Sequence, residues 1–108
     1  MKLTKEQKQA ANENMQFYNE LLKKAIEDPN FTEDSLREAI FQRFYYSEGF
    51  FFIATKFREI GRELGYTFPS SDGSIPLDHE KTVAIFKKMV ERMQAVYDAM
   101  NVSEKVEE

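Results

Sequence analysis

The sequence predicts an all-α protein, a small antiparallel helical bundle of three to four helices in a single domain over residues 1–108. Three observations carry that reading. Apolar residues recur at steps of three and four along separate stretches, the spacing of one helix face. No alternating apolar–polar run occurs, so strands have no support. Turn-forming residues gather at Asp28-Pro29-Asn30 and over 65–77, between the periodic stretches.

The first helix is expected from about Thr4 to Asp28. Thr4 is placed to cap it, and Gln7 stands where a capping box closes. Ala11, Met15, Tyr18, Leu22 and Ala25 share one face, with Lys8, Asn12, Asn19 and Lys23 toward water. Pro29 stops the helix, because it lacks an N–H and disfavours helical geometry at Asp28. A second helical stretch begins near Thr32, where an oxygen cap precedes Glu33 and Asp34 at the positive end of the helix dipole. No proline follows until Pro69. The stretch reads either as one long central helix over about 33–64 or as two helices broken near Ser47-Glu48-Gly49. An internal glycine, at about 1 kcal/mol against alanine, leaves both open.

Tyr46, Phe50, Ile53, Phe57, Ile60 and Leu64 form a heptad seam, and Gly65 suits the position just past a helix end. Gly61 is expected to permit a close helix crossing. Residues 65–77 form the one long loop, tacked to the core by Tyr66, Phe68, Ile75 and Leu77. Asp78 caps the last helix, where Val83, Phe86, Val90, Met93, Tyr97 and Met100 share a face. The acidic tail, about 101–108, is expected to fray.

The 108 residues carry 19 acidic and 15 basic side chains, for a formal net charge of −4. A chain of this length buries about two thirds of its unfolded surface, enough for one core. With no Cys there is no disulfide, thiol nucleophile or thiolate metal site. No run of about 18 apolar residues exists to span a membrane. The start, Met-Lys-Leu-Thr-Lys-Glu-Gln-Lys, has no apolar signal-peptide core, so a cytoplasmic protein is expected. Mild acidity argues against a nucleic-acid partner, which asks for a basic stripe.

No catalytic residue, metal site or cofactor is expected. His79, the one histidine, sits between Asp78 and Glu80, and successive helical residues point about 100° apart, so the three share no face. Glu59 and Glu63 lie at i, i+4, but Lys56 and Arg62 flank them, and the set reads as a solvated ion-paired face. Gly61 and Gly65 lack the strand–loop–helix setting of a phosphate loop. Ser70-Ser71-Asp72-Gly73-Ser74 contains no basic residue and reads as a connector.

Residues 40–53, Ile-Phe-Gln-Arg-Phe-Tyr-Tyr-Ser-Glu-Gly-Phe-Phe-Phe-Ile, stand apart. One unbroken helix at about 100° per residue puts Phe41, Tyr45 and Phe52 on the pole opposite Phe50, Ile53 and Phe57. A helix apolar all round asks for cover on every side, which so small a bundle does not offer. Aromatics inside a charged rim have the composition of an interface. The leading expectation is a small non-catalytic protein that binds another protein, of inhibitor, immunity, anti-defence or adaptor type, or forms a homodimer. Its anchors are Phe41, Tyr45 and Phe52, with Arg43, Glu48, Lys56 and Glu59 as rim. A break at Gly49 would instead return Phe41 and Tyr45 to the core. The alternative is a carrier of a small apolar ligand, lined by Tyr18, Tyr46, Phe57 and Met93.

Phe17 to Asp28 followed by Pro29, and later Phe57-Arg58-Glu59-Ile60-Gly61-Arg62-Glu63-Leu64-Gly65-Tyr66-Thr67-Phe68, together are similar to the nitrogen-fixation-type leader domains of modified-peptide precursors. There, a helix ending in an Asp-rich turn precedes one ending in an alanine–glycine–tyrosine–aspartate–phenylalanine stop. The spacing here is longer, and no Gly-Gly pair, that family's cleavage site, occurs. The resemblance implies a leader-type domain recognised by a peptide-modifying enzyme.

Overall fold

The computed structural model describes residues 4–44, 48–70 and 74–107, with side chains at 4–43, 54–70 and 74–99. Among them are four helices and no strand: α1 (Lys5–Glu27), α2 (Glu33–Phe44), α3 (Glu48–Glu63) and α4 (His79–Glu107).

Local chemistry sets the ends of α1. The Thr4 hydroxyl accepts the Gln7 N–H at 3.1 Å, and the Gln7 side chain accepts the Thr4 N–H at 2.9 Å, closing the capping box. Asp28, ahead of Pro29, leaves helical geometry at φ −102° and ψ 106°.

A single helix over 33–64 is excluded. Glu33 lies 3.7 Å from Arg58, whereas 25 rises along an unbroken helix would part them by roughly 37 Å. Two helices, α2 and α3, pack side by side instead, with Leu36 and Ile40 facing Ala54 and Phe57. Gly49 falls inside α3, one residue past its start. Residues 45–47, Tyr45 and Tyr46 among them, lie outside the described residues.

The long helix α4 is the pillar. Antiparallel α1 covers one flank, with the Tyr18 and Phe86 rings edge to face at 6.4 Å. On the other flank lies α3, and α2 packs on α3. Buried side chains of all four helices, joined by Phe31 and Leu77, form one core. Each large apolar side chain in it contributes about 1.5–3 kcal/mol.

At the end of α3, the Tyr66 N–H reaches the Gly61 carbonyl at 2.9 Å and the Gly65 N–H reaches that of Arg62 at 3.0 Å. This paired closure places Gly65 at φ +81°, where a side chain would be strained. The loop beyond is docked at Tyr66, Phe68 and Leu77. Ile75 departs from expectation: it is 55% exposed and does not tack the loop down. Gly61 also differs in its role. A Cβ there would lie 2.6 Å from Phe68 Cζ and 3.0 Å from Ile85 Cδ1, so the glycine seats a loop ring as well as admitting α4.

The Asp78 carboxylate accepts the Lys81 N–H at 3.0 Å and caps α4. The helix then runs to Glu107, with no Gly or Pro after Pro76 to interrupt it. Among the described residues no helix is long and apolar enough to cross a membrane.

Candidate functional site

Two places in the fold gather chemistry. The first is the junction of α2, the loop and the start of α4. Glu33, only 4% exposed, accepts the Leu77 N–H at 3.0 Å through Oε1, while its own N–H donates to the Leu77 carbonyl at 3.2 Å. Its Oε2 faces Arg37 at 3.3 Å and Arg58 at 3.7 Å. Arg58 in turn lies 4.7 Å from the Phe68 ring centroid and donates to the Ser70 carbonyl at 3.4 Å. The Thr82 hydroxyl donates to the Leu77 carbonyl at 3.2 Å.

His79 joins this fastening. Its Nδ1 is 2.8 Å from the Phe31 carbonyl oxygen. A carbonyl only accepts, so Nδ1 carries the proton. The cavity beside Glu33 measures about 40 Å³, room for a water or so and not for a substrate. Among the described residues, no group of three His, Cys, Asp or Glu could hold a metal ion.

The second place is an open groove of about 490 Å³ between α1, α3 and α4. Its apolar lining comes from Ala11 and Met15 of α1, Ile60 of α3, and Met89, Met93, Val96 and Tyr97 of α4. Asn14, Lys56 and Arg92 are its polar edge. Met is unbranched and polarisable, and such a floor adapts to irregular shapes. Lys56 pairs with Glu59 at 3.2 Å, and Arg92 pairs with Glu63. The hydrogen bond from Arg92 holds the Glu63 carboxyl below its ordinary value. Arg43 reaches across from α2, donating to Asn14 Oδ1 at 3.1 Å and lying 5.3 Å from the Phe17 ring centroid. Burial pushes the Tyr18 phenol up to about 12, with Arg43 pulling the other way.

The residues singled out from sequence scatter across these surfaces. Phe41 is half-buried on α2, beside a surface depression shared with Asp34, Arg37 and Glu38. Lys56 and Glu59 are exposed on α3, and Lys56 lines the groove. Tyr45 and the side chains of Glu48 and Phe52 lie outside the described set. Because the chain forms two helices here, the single wheel that put Phe41, Tyr45 and Phe52 on one pole does not apply. Of the expected ligand lining, Met93 borders the groove, Tyr18 and Phe57 sit in the core at 2% and 4% exposure, and Tyr46 is not described.

Sequence reasoning missed Arg92 and Val96. A signal was available: Ile85, Met89, Met93 and Val96 step by four, four and three beside the seam through Phe86, Val90 and Tyr97. Two adjoining stripes make a face wider than one neighbouring helix covers. Compared with family models, with curated proteins and with solved structures, the chain shows no match.

Proposed function

We propose that this chain is a non-catalytic cytoplasmic binding protein that holds a small apolar ligand in the groove between α1, α3 and α4. The observation that carries the reading is the groove's size and lining. At about 490 Å³, with a Met-rich floor and three polar side chains at its edge, it falls within the span of small-molecule sites, about 300–1,000 Å³. Native mass spectrometry of freshly purified protein tests it. A retained small-molecule mass on the wild type, absent from Val96→Glu, supports the reading, and a clean apo mass counts against it.

Docking of another protein, or of a second copy, across the α2–α3 surface is the second reading. Its support is half-buried Phe41 in the depression on α2, together with exposed Lys56 and Glu59 on α3. It takes second place because the outward aromatic row needed one unbroken helix. A partner captured by the wild type and by Val96→Glu, but lost on Phe41→Glu, would move it to first.

A further inference from the structure

We infer that the groove takes an anionic amphiphile with a single alkyl chain, a free fatty-acid-like molecule whose tail lies on Met89, Met93 and Val96 and whose head meets Arg92 and Lys56. This rests on the groove being a small-molecule site.

Charge is the first argument. The chain as a whole is acidic at −4, yet both charged side chains that line the groove are cations, one from α3 and one from α4. Glu59 and Glu63, which pair with them, are not part of the lining. A carboxylate arriving at the edge meets two cations that are each already paired, and can share the planar donor array of Arg92 with Glu63 and the ammonium of Lys56 with Glu59. A cationic head finds no carboxylate in the lining itself.

The floor is the second argument. Three Met side chains, Met15, Met89 and Met93, adjust to a flexible chain better than branched or aromatic walls do. Val96, at 61% exposed, leaves apolar surface for a tail to cover. The openness of the site leaves Arg92 and Lys56 partly in water, so the bound head keeps solvent and avoids the cost of a buried charge.

The probes are laurate, dodecan-1-ol and dodecyltrimethylammonium, each below its micelle concentration, titrated by calorimetry into the full chain. One laurate per chain is expected. The alcohol should bind about tenfold more weakly, the size of a lost charge-assisted hydrogen bond, and the cation more weakly still. The double variant Lys56→Gln/Arg92→Gln should bring laurate to the level of the alcohol and leave the alcohol unchanged. Met93→Glu should abolish all three; since Met93 is half-buried, Val96→Glu, checked for fold by circular dichroism, supplies the same test. Equal affinity for the three probes overturns the inference and leaves the small-molecule reading standing. No binding of any probe, with a retained mass in native spectra, does the same. No binding with a clean apo mass removes both. Association with anionic phospholipid vesicles without laurate binding, or a dimer that Val96→Glu dissociates and laurate does not, gives the groove to another occupant.

Discussion

The two halves of α4 have opposite surroundings. In the first half Thr82, Ile85 and Phe86 are 0% exposed, because α1, α3, Phe68 and Leu77 close over them. In the second half Met93 and Tyr97 are half-buried and Val96 is 61% exposed, with the groove beside them. The difference comes from the loop. Glu33 holds Leu77, Phe68 packs on Phe57 of α3, and the Thr82 hydroxyl fastens Leu77 to the first half of α4, while no loop residue lines the groove beside the second half. Polar fastening at one end leaves apolar surface available at the other. The polar fastening is therefore separate from the region proposed to bind, while Met15, Ile60 and Met89 belong to both the core and the groove.

The strongest way to break this contrast is Glu33→Ala. It leaves the Leu77 N–H without its acceptor and removes the shared carboxylate from Arg37 and Arg58. A loss of about 3 kcal/mol is expected, as for other buried pairs that lose one member. The thermal midpoint should fall by more than about 10 °C, while laurate affinity measured at low temperature stays near that of the wild type. A midpoint within a few degrees of the wild type would mean that Glu33 does not hold the loop.

Next in size is Gly61→Ala. Its Cβ would lie 2.6 Å from the end of the Phe68 ring, which must shift; overpacking costs about 1–3 kcal/mol, set against a gain of about 1 kcal/mol in helix propensity, for an expected net loss of about 1 kcal/mol. Phe68→Ala alone should cost about 2 kcal/mol through lost burial. The double variant should cost clearly less than the sum, since the collision disappears with the ring. Additive losses in denaturant titrations would place Phe68 elsewhere.

A smaller effect is expected in alkaline solution. The Tyr18 phenol is held at about 12 in the fold, against 10.0 ordinarily. The unfolded chain releases that proton first, so stability is intact below pH 10 and falls as pH rises toward about 12. Tyr18→Phe should flatten that part of a stability–pH curve. An unchanged slope would show that the phenol is not held neutral by burial.

The smallest effect belongs to the groove. Val96→Glu replaces an exposed side chain and should change stability by no more than about 0.5 kcal/mol. If it unfolds the chain as Glu33→Ala does, the two halves of α4 do not differ as described.

What was legible in the sequence was local. The Thr4–Gln7 box, the stop at Pro29, the Gly65 closure and the Asp78 cap each depend on residues within five positions of one another. Phe68 next to Pro69 was readable as a docked ring, but its seat on Gly61 was not, because the glycine's spacing fits a helix crossing equally well. The Glu33–Leu77 pair joins residues 44 apart, and no pattern along the chain announces it. The break between α2 and α3 was visible only as a choice around Gly49. Glycine permits a break without requiring one, and here α3 already begins at Glu48. The groove escaped because one stripe on α4 was read where two lie side by side.

Pairing the first helix with the last also governs how the molecule comes into being. Asn19 meets Gln94 across 75 positions of chain. At about 5–20 residues per second, α1 leaves the ribosome roughly 4 to 15 seconds before the part of α4 that covers it. Throughout that interval the apolar stripe of Met15, Tyr18 and Leu21 has no α4 to cover it, and α1 lacks the packing that stabilises it as a helix. The α2–α3 pair, whose helices are neighbours in sequence, needs no such wait and is suited to form first. Since α1 and the second half of α4 are two of the groove's walls, the groove closes among the last features of a newborn chain, and a ligand present at that moment would meet the helices as they come together.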